Sequence, residues 1–143
     1  KAKDRLDLWI DHLLLQRCEN PGYPNRSILL AKKAGWGFRP VANASEVFHQ
    51  LLNYYWEGLR EPLPFFPQSA YAFAERRHQG RKEEDAHYAA HKAWEGDPQS
   101  RGEVDDPYCQ LNWGRVDALD ERFRALALAV FGPLLEHEEE MEL

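Results

Sequence analysis

Residues 61–68 read Glu-Pro-Leu-Pro-Phe-Phe-Pro-Gln, and three prolines in six residues restrict the fold more than any other stretch. Each proline fixes φ at about −65° and lacks an amide donor, so no helix or central strand can run through Pro62, Pro64 and Pro67. The segment is therefore an extended, ordered connector between two blocks of structure, and it holds Phe65 and Phe66 at fixed positions. Two uses are open to that pair: packing inside the chain's own core, or presenting an aromatic surface to a partner.

Ahead of the connector the pattern predicts a helix, a two-stranded ribbon and a second helix. From Asp4 to Cys18, Leu6, Trp9, Ile10, Leu13 and Leu14 recur at helical spacing, and Leu8 and Leu15 widen the stripe to that of a helix buried on two sides. Pro21, Gly22 and Pro24 make 19–25 a loop. Ser27 to Ala31 and Trp36 to Val41 have strand composition and read as an antiparallel pair, with Gly35-Trp36-Gly37 read as a hairpin turn. Asn43 and Glu46 have capping-box spacing, and Val47, Leu51, Leu52, Tyr55 and Leu59 supply the apolar face of the helix that follows, with Phe48 and Trp56 extending it.

After the connector the elements are shorter. Ser69 is expected to cap a helix reaching about His78, and Arg81 to Trp94 reads as another whose alanines allow close packing. The stretch 97–107 reads as a polar loop, Tyr108 to Trp113 as a short strand, and Asp117 as the cap of a last helix with Phe123, Leu126, Ala127, Val130 and Phe131 on its face. Gly132 and Pro133 are expected to interrupt that helix before an acidic tail.

Length and composition fit one domain over residues 1–143. The chain is 43% hydrophobic and 13% aromatic, which excludes a disordered tail. No apolar run approaches the ~20 residues that span a bilayer, and no signal-peptide hydrophobic region opens the sequence, so a cytoplasmic domain is expected. The first residue is Lys1, not Met, which suggests a piece of a longer protein. Cys18 and Cys109 are far apart and read as buried, reduced thiols. The net charge of −6 argues against binding nucleic acid through overall charge, and the acidity belongs to residues 101–143, whose 4 basic and 11 acidic groups leave −7 against a slight positive excess in the rest.

Chemistry-bearing constellations are sparse. His87 and His91, one helical turn apart with Asp85 nearby, have the spacing by which a helix offers two imidazoles to a metal, or they form a solvated face. Glu103, Asp105 and Asp106 read either as a loose cation site or as solvated loop carboxylates. There is no Gly-x-Ser-x-Gly elbow, no phosphate-binding glycine loop, and no Asp followed on a neighbouring strand by an acid-x-Lys triplet. No catalytic residue, metal or cofactor is assigned. One basic cluster stands out: Arg76, Arg77, Arg81 and Lys82 at a helix junction, either a phosphate-contacting corner or a turn neutralised by Glu75, Glu83, Glu84 and Asp85.

These residues also carry a resemblance. Leu8-Trp9-Ile10-x-His12-Leu13, then Ala44 to Leu59 ending in Tyr55-x-x-Gly58-Leu59, then Glu61 through Ala70 with its Pro-Leu-Pro-Phe-Phe-Pro core, resemble the C-terminal domain of the exonuclease V gamma chain, RecC. Ala93-Trp94-x-Gly96, Gly102-Glu103, Asp106-Pro107-Tyr108, Leu111 and the stretch from Phe123 to Leu135 are similar too, with departures at Gln68, commonly Lys, and at Trp113-Gly114-Arg115. The resemblance implies an α+β, helix-rich part of a degenerate restriction-endonuclease-like fold, the acid-plus-lysine nuclease fold without its metal site, containing a β-hairpin and one short extra strand. It implies a non-catalytic scaffold in a RecBCD-type helicase-nuclease of DNA repair and homologous recombination, with RecB-like and RecD-like partner subunits and DNA met in the complex. It also implies that earlier strands of the sheet precede Lys1. An unpaired strand edge is then expected, covered by the chain's own helices or by self-association through the Trp9, Ile28 and Leu30 region. The rival readings are an active metal-dependent nuclease domain and a stand-alone protein-interaction module.

Overall fold

Helix α3 (Pro67–His78) begins on the last proline of the connector, where the missing amide would have had no helical partner in any case. The computed structural model describes residues 1–18, 20, 22–30 and 34–141. Before the connector come α1 (Ala2–Arg17), β1 (Ser27–Leu30), β2 (Gly35–Phe38) and α2 (Ala44–Gly58). After α3 come α4 (Glu83–Glu95), β3 (Gly96–Asp97), β4 (Ser100–Arg101), a single 3-10 turn at Glu103–Asp105, α5 (Pro107–Trp113), α6 (Glu121–His137) and β5 (Glu138–Met141). The architecture is mixed α+β and dominated by helix, as the pattern predicts.

The core has two aromatic centres. Phe66 lies against Trp94, Trp113 and Phe123, with ring centroids 4.4, 5.0 and 6.0 Å away, and joins the connector to α4, α5 and α6. Trp9 of α1 packs against Phe38 at 5.1 Å and, with His12 and His137, ties the sheet to α1 and α6. Ala70, Ala74, Ala86 and Ala90 are buried between α3 and α4, and their small side chains let the two helices approach closely. Helix α1 buries one face: Trp9 and Leu13 are fully covered, whereas Leu14 is 41% exposed.

The hairpin forms with Ser27 opposite Phe38 and Leu30 opposite Gly35. Gly35 and Gly37 lie within β2 and not in the turn; Ala31, expected to end the first strand, lies outside the described residues, as do Glu19 and Pro21 of the preceding loop. The acidic tail is ordered as β5, antiparallel to β2 with Phe38 opposite Glu138, giving the order β1-β2-β5. Among the described residues β2 is paired along both edges and β1 along one, with Ile28 and Leu30 half or more exposed. Trp9, expected beside them at a self-association surface, is instead in the core.

Five local expectations are corrected. Residues 107–113 form helix α5, not a strand, because Asp106 caps it and Pro107 occupies its first turn. Helix α6 is capped by Asp120, whose Oδ1 accepts from the Phe123 amide at 2.9 Å, while Asp117 serves only the preceding turn through Leu119. That helix runs through Gly132 and Pro133 to His137. At α2 the Asn43 side chain makes no cap hydrogen bond. Cys18 is exposed and Cys109 half-buried; both are free.

Candidate nucleic-acid interface

The corner between α3 and α4 is built by backbone geometry. The Gly80 and Arg81 amides return to the carbonyls of Arg77 and Arg76, both at 3.0 Å, so the chain reverses at once and α4 starts alongside α3. This brings Arg76 and Arg81 to the mouth of a groove of about 920 Å³ that runs between the helices. The other two members of the sequence cluster are placed differently. The Arg77 guanidinium turns back and donates to the Arg81 carbonyl at 2.8 Å, and Lys82 stands at the N-cap of α4 outside the groove lining.

The groove gains two cations that sequence spacing did not single out. Lys92 lies one turn beyond Tyr88 on α4, and Arg101 comes from β4, folded back onto the end of α4. That fold-back depends on two glycines. Gly96 has φ +77°, and a Cβ at Gly102 would lie 2.2 Å from the Trp94 carbonyl oxygen, so no side chain fits at either point. Tyr88, on the same wall, is 74% exposed.

Several acids of this region are held by internal hydrogen bonds or pairing, while Glu84 and Asp85 have no such partner among the described residues. Glu103 accepts from the Gln68 amide (2.9 Å), the Ser69 amide (2.8 Å) and the Ser69 hydroxyl (2.7 Å), placing a carboxylate against the positive end of α3. That is the capping role expected of Ser69 itself. Glu83 pairs with Arg124 at 2.6 Å, Glu75 accepts from the Tyr71 hydroxyl at 3.2 Å, and Asp97 accepts from the Gln99 amide at 2.8 Å. Among the described residues, Arg76, Arg81, Lys92 and Arg101 form no salt bridge and donate no side-chain hydrogen bond.

The remaining candidates take structural places. His87 Nε2 is 3.3 Å from the Leu119 carbonyl and His91 Nδ1 is 3.3 Å from Glu95, so the two rings, 6.5 Å apart, each serve a different partner. Glu103 and Asp106 cap helices and Asp105 is exposed; the reading of these three as solvated loop carboxylates is corrected for the first two. Burial, followed by the charges of Asp106 and Glu103, pushes the Cys109 thiol up. Phe66 is 3% exposed and Phe65, half-buried, stacks on Phe131 at 5.8 Å, so both rings contribute to the chain's own packing.

A second polar cluster left no sequence signal. The Arg5 guanidinium lies 4.4 Å from the Trp36 ring centre and 4.9 Å from that of Tyr71, donates to the Tyr71 hydroxyl, and pairs with Glu138 Oε2 at 2.7 Å. Burial pushes the Glu138 carboxyl above its usual range, with Arg5 opposing the shift, and burial likewise raises the Tyr71 hydroxyl. The cluster joins α1, β2, α3 and β5, elements distant in sequence, and so fixes the tail strand.

The profile of the RecC C-terminal domain matches residues 1–78 of this chain. The chain belongs to the RecC C-terminal domain family. It is 27% identical to the RecBCD enzyme subunit RecC of Escherichia coli (strain K12) over an alignment of 143 residues, covering 88% of this chain and 12% of that protein. The chain therefore spans a small part of the curated relative's length. The RecC family match runs from α1 to the end of α3, through the proline connector and Arg76 and Arg77, and ends before Arg81, Lys92 and Arg101.

Proposed function

We propose that this chain is part of a RecC-like gamma subunit of a RecBCD-type exodeoxyribonuclease V, in which it is a single, non-catalytic scaffold domain of degenerate nuclease-like fold. In that role it contacts RecB-like and RecD-like subunits and guides separated DNA strands during double-strand-break repair in the cytoplasm. The observation that carries the reading is the family match over residues 1–78, which takes in the proline connector and the core aromatic Phe66. The engagement of Glu103 and Asp106 at helix ends supports a scaffold over a nuclease, since carboxylates that bind metal must be free to coordinate it. No helix of the described residues is long and apolar enough to cross a membrane.

The test is assembly. Co-expressed with RecB-like and RecD-like subunits, the chain should co-purify with at least one of them through size-exclusion chromatography. Failure to associate with either would overturn the scaffold reading.

A further inference from the structure

We infer that the groove between α3 and α4 is a binding site for single-stranded nucleic acid, with Arg76, Arg81, Lys92 and Arg101 on the phosphates and Tyr88 as a stacking platform. This deepens the proposed function by naming the ligand and the residues at one surface, and it rests on that reading. The juxtaposition itself is independent of it. Four cations from three separate stretches converge on one groove of about 920 Å³, and none has an ionic or hydrogen-bonded partner among the described residues. Outside the groove Arg5, Arg26, Arg122 and Arg124 pair with Glu138, Glu139, Glu61 and Glu83, while other arginines such as Arg17, Arg60 and Arg115 form no salt bridge among the described residues, so it is the convergence of the groove cations on one lining that sets them apart. The lining sets Lys1, Arg76, Arg81, Lys92 and Arg101 against Glu75, Asp85, Asp97 and Glu103, a slight positive excess on an acidic protein, and a phosphate chain is the ligand that several spaced guanidinium groups complement.

Tyr88 decides between a phosphate chain and an acidic peptide. It is 74% exposed on the groove wall, one turn before Lys92 and one turn after Asp85, with no ring packed on it. Acidic side chains do not stack on an open aromatic face, whereas an unpaired base stacks on one whatever its identity. Duplex bases are already stacked, so the ring selects single strands. Asp85 is the acid of the lining without an internal partner; it stands in the first turn of α4, where the helix end offsets its charge.

The experiment measures anisotropy of a fluorescein-labelled oligothymidylate of about 12 nucleotides titrated with the 143-residue chain across a salt series. Wild type should bind, with log K falling by about 0.7 per phosphate contact for each unit of log salt. Arg76→Gln with Arg81→Gln should weaken binding at least about tenfold and flatten the salt slope. Tyr88→Ala should weaken it about tenfold and leave the slope unchanged, because it removes stacking and no charge. Gln68→Lys, which adds a cation to the lining, should tighten binding, and Arg60→Gln, just past the end of α2 and outside the groove lining, should do nothing. Circular dichroism of each variant separates lost binding from lost fold. Absent binding, equal binding by the Arg76/Arg81 variant, or a Tyr88→Ala variant that binds as wild type while a poly-glutamate peptide competes fully, would each overturn the assignment. The partner co-purification is a separate readout: groove variants that still assemble but no longer bind the oligonucleotide support the site, and binding without assembly would reject the scaffold reading alone.

Discussion

The carboxylate of Glu103 accepts hydrogen bonds from two first-turn amides of α3 and from the Ser69 hydroxyl, all at 2.9 Å or less. Removing it strands donors in a half-buried place, so Glu103→Ala should destabilise the chain by about 1–3 kcal/mol in urea titration, while Glu103→Gln should lose less because one oxygen remains an acceptor. An unchanged midpoint for Glu103→Ala would show that solvent satisfies these amides. His12 permits a pH prediction. Its Nε2 faces the Arg39 carbonyl at 3.0 Å, which only accepts, so Nε2 carries the proton and Nδ1 accepts from the Ser27 hydroxyl at 3.0 Å. Burial, opposed by the Arg39 hydrogen bond and aided by the His137 charge, holds its pKa below the usual histidine value. Below about pH 6.5 the unfolded chain therefore binds more protons at this site than the native one. The stabilisation from neutral His12 is complete above that pH and falls as the solution is acidified, and His12→Gln should reduce the slope of unfolding free energy against pH. An identical slope would place the linkage at another group.

At the scale of elements, Pro133 and the acidic tail mark where local rules gave the wrong structure. A proline inside a helix costs about 3 kcal/mol and leaves the Ala129 carbonyl without its helical donor. The helix continues because Phe131 and Leu134 are fully covered and Leu135 is 7% exposed, and each such side chain contributes about 1.5–3 kcal/mol of burial. Tertiary packing decides that balance, and it is invisible in a stretch read alone. Two opposite substitutions test it by chemical denaturation: Pro133→Ala should stabilise by about 1–3 kcal/mol, and Leu134→Ala should destabilise by about 2–5 kcal/mol. The proline connector, α1 to α4 and the hairpin were legible because apolar spacing and glycine or proline punctuation lie in the sequence itself. Helix α5 was misread as a strand although Asp106-Pro107 carried the correct start signal, since a seven-residue helix leaves little periodicity to count. β5 gave no signal at all: four residues, three of them glutamate, become a strand through Arg5, Arg26 and the exposed amides of β2. At the groove, the sequence cluster supplied Arg76 and Arg81; Lys92 and Arg101 required the α4 geometry and the tight fold-back at Gly96 and Gly102.

For the molecule as a whole, the sign and distribution of charge decide how it meets DNA. The chain carries −6, and much of the acidity lies on residues 101–143, which include the cap of α6 and all of β5. A duplex presents a broad, dense negative charge to a chain that is itself acidic overall, and its stacked bases offer nothing to Tyr88. The basic surface available to it is one corner, not a face. Duplex binding by the chain alone should therefore be weak, on the order of 10⁻⁴ M at physiological salt. Titrating a labelled duplex and a single strand of equal length under one salt condition checks this, with the single strand expected to bind more tightly. Submicromolar duplex binding that persists as salt is raised would show that contacts other than the groove cations dominate, and that the charge distribution described above does not govern recognition.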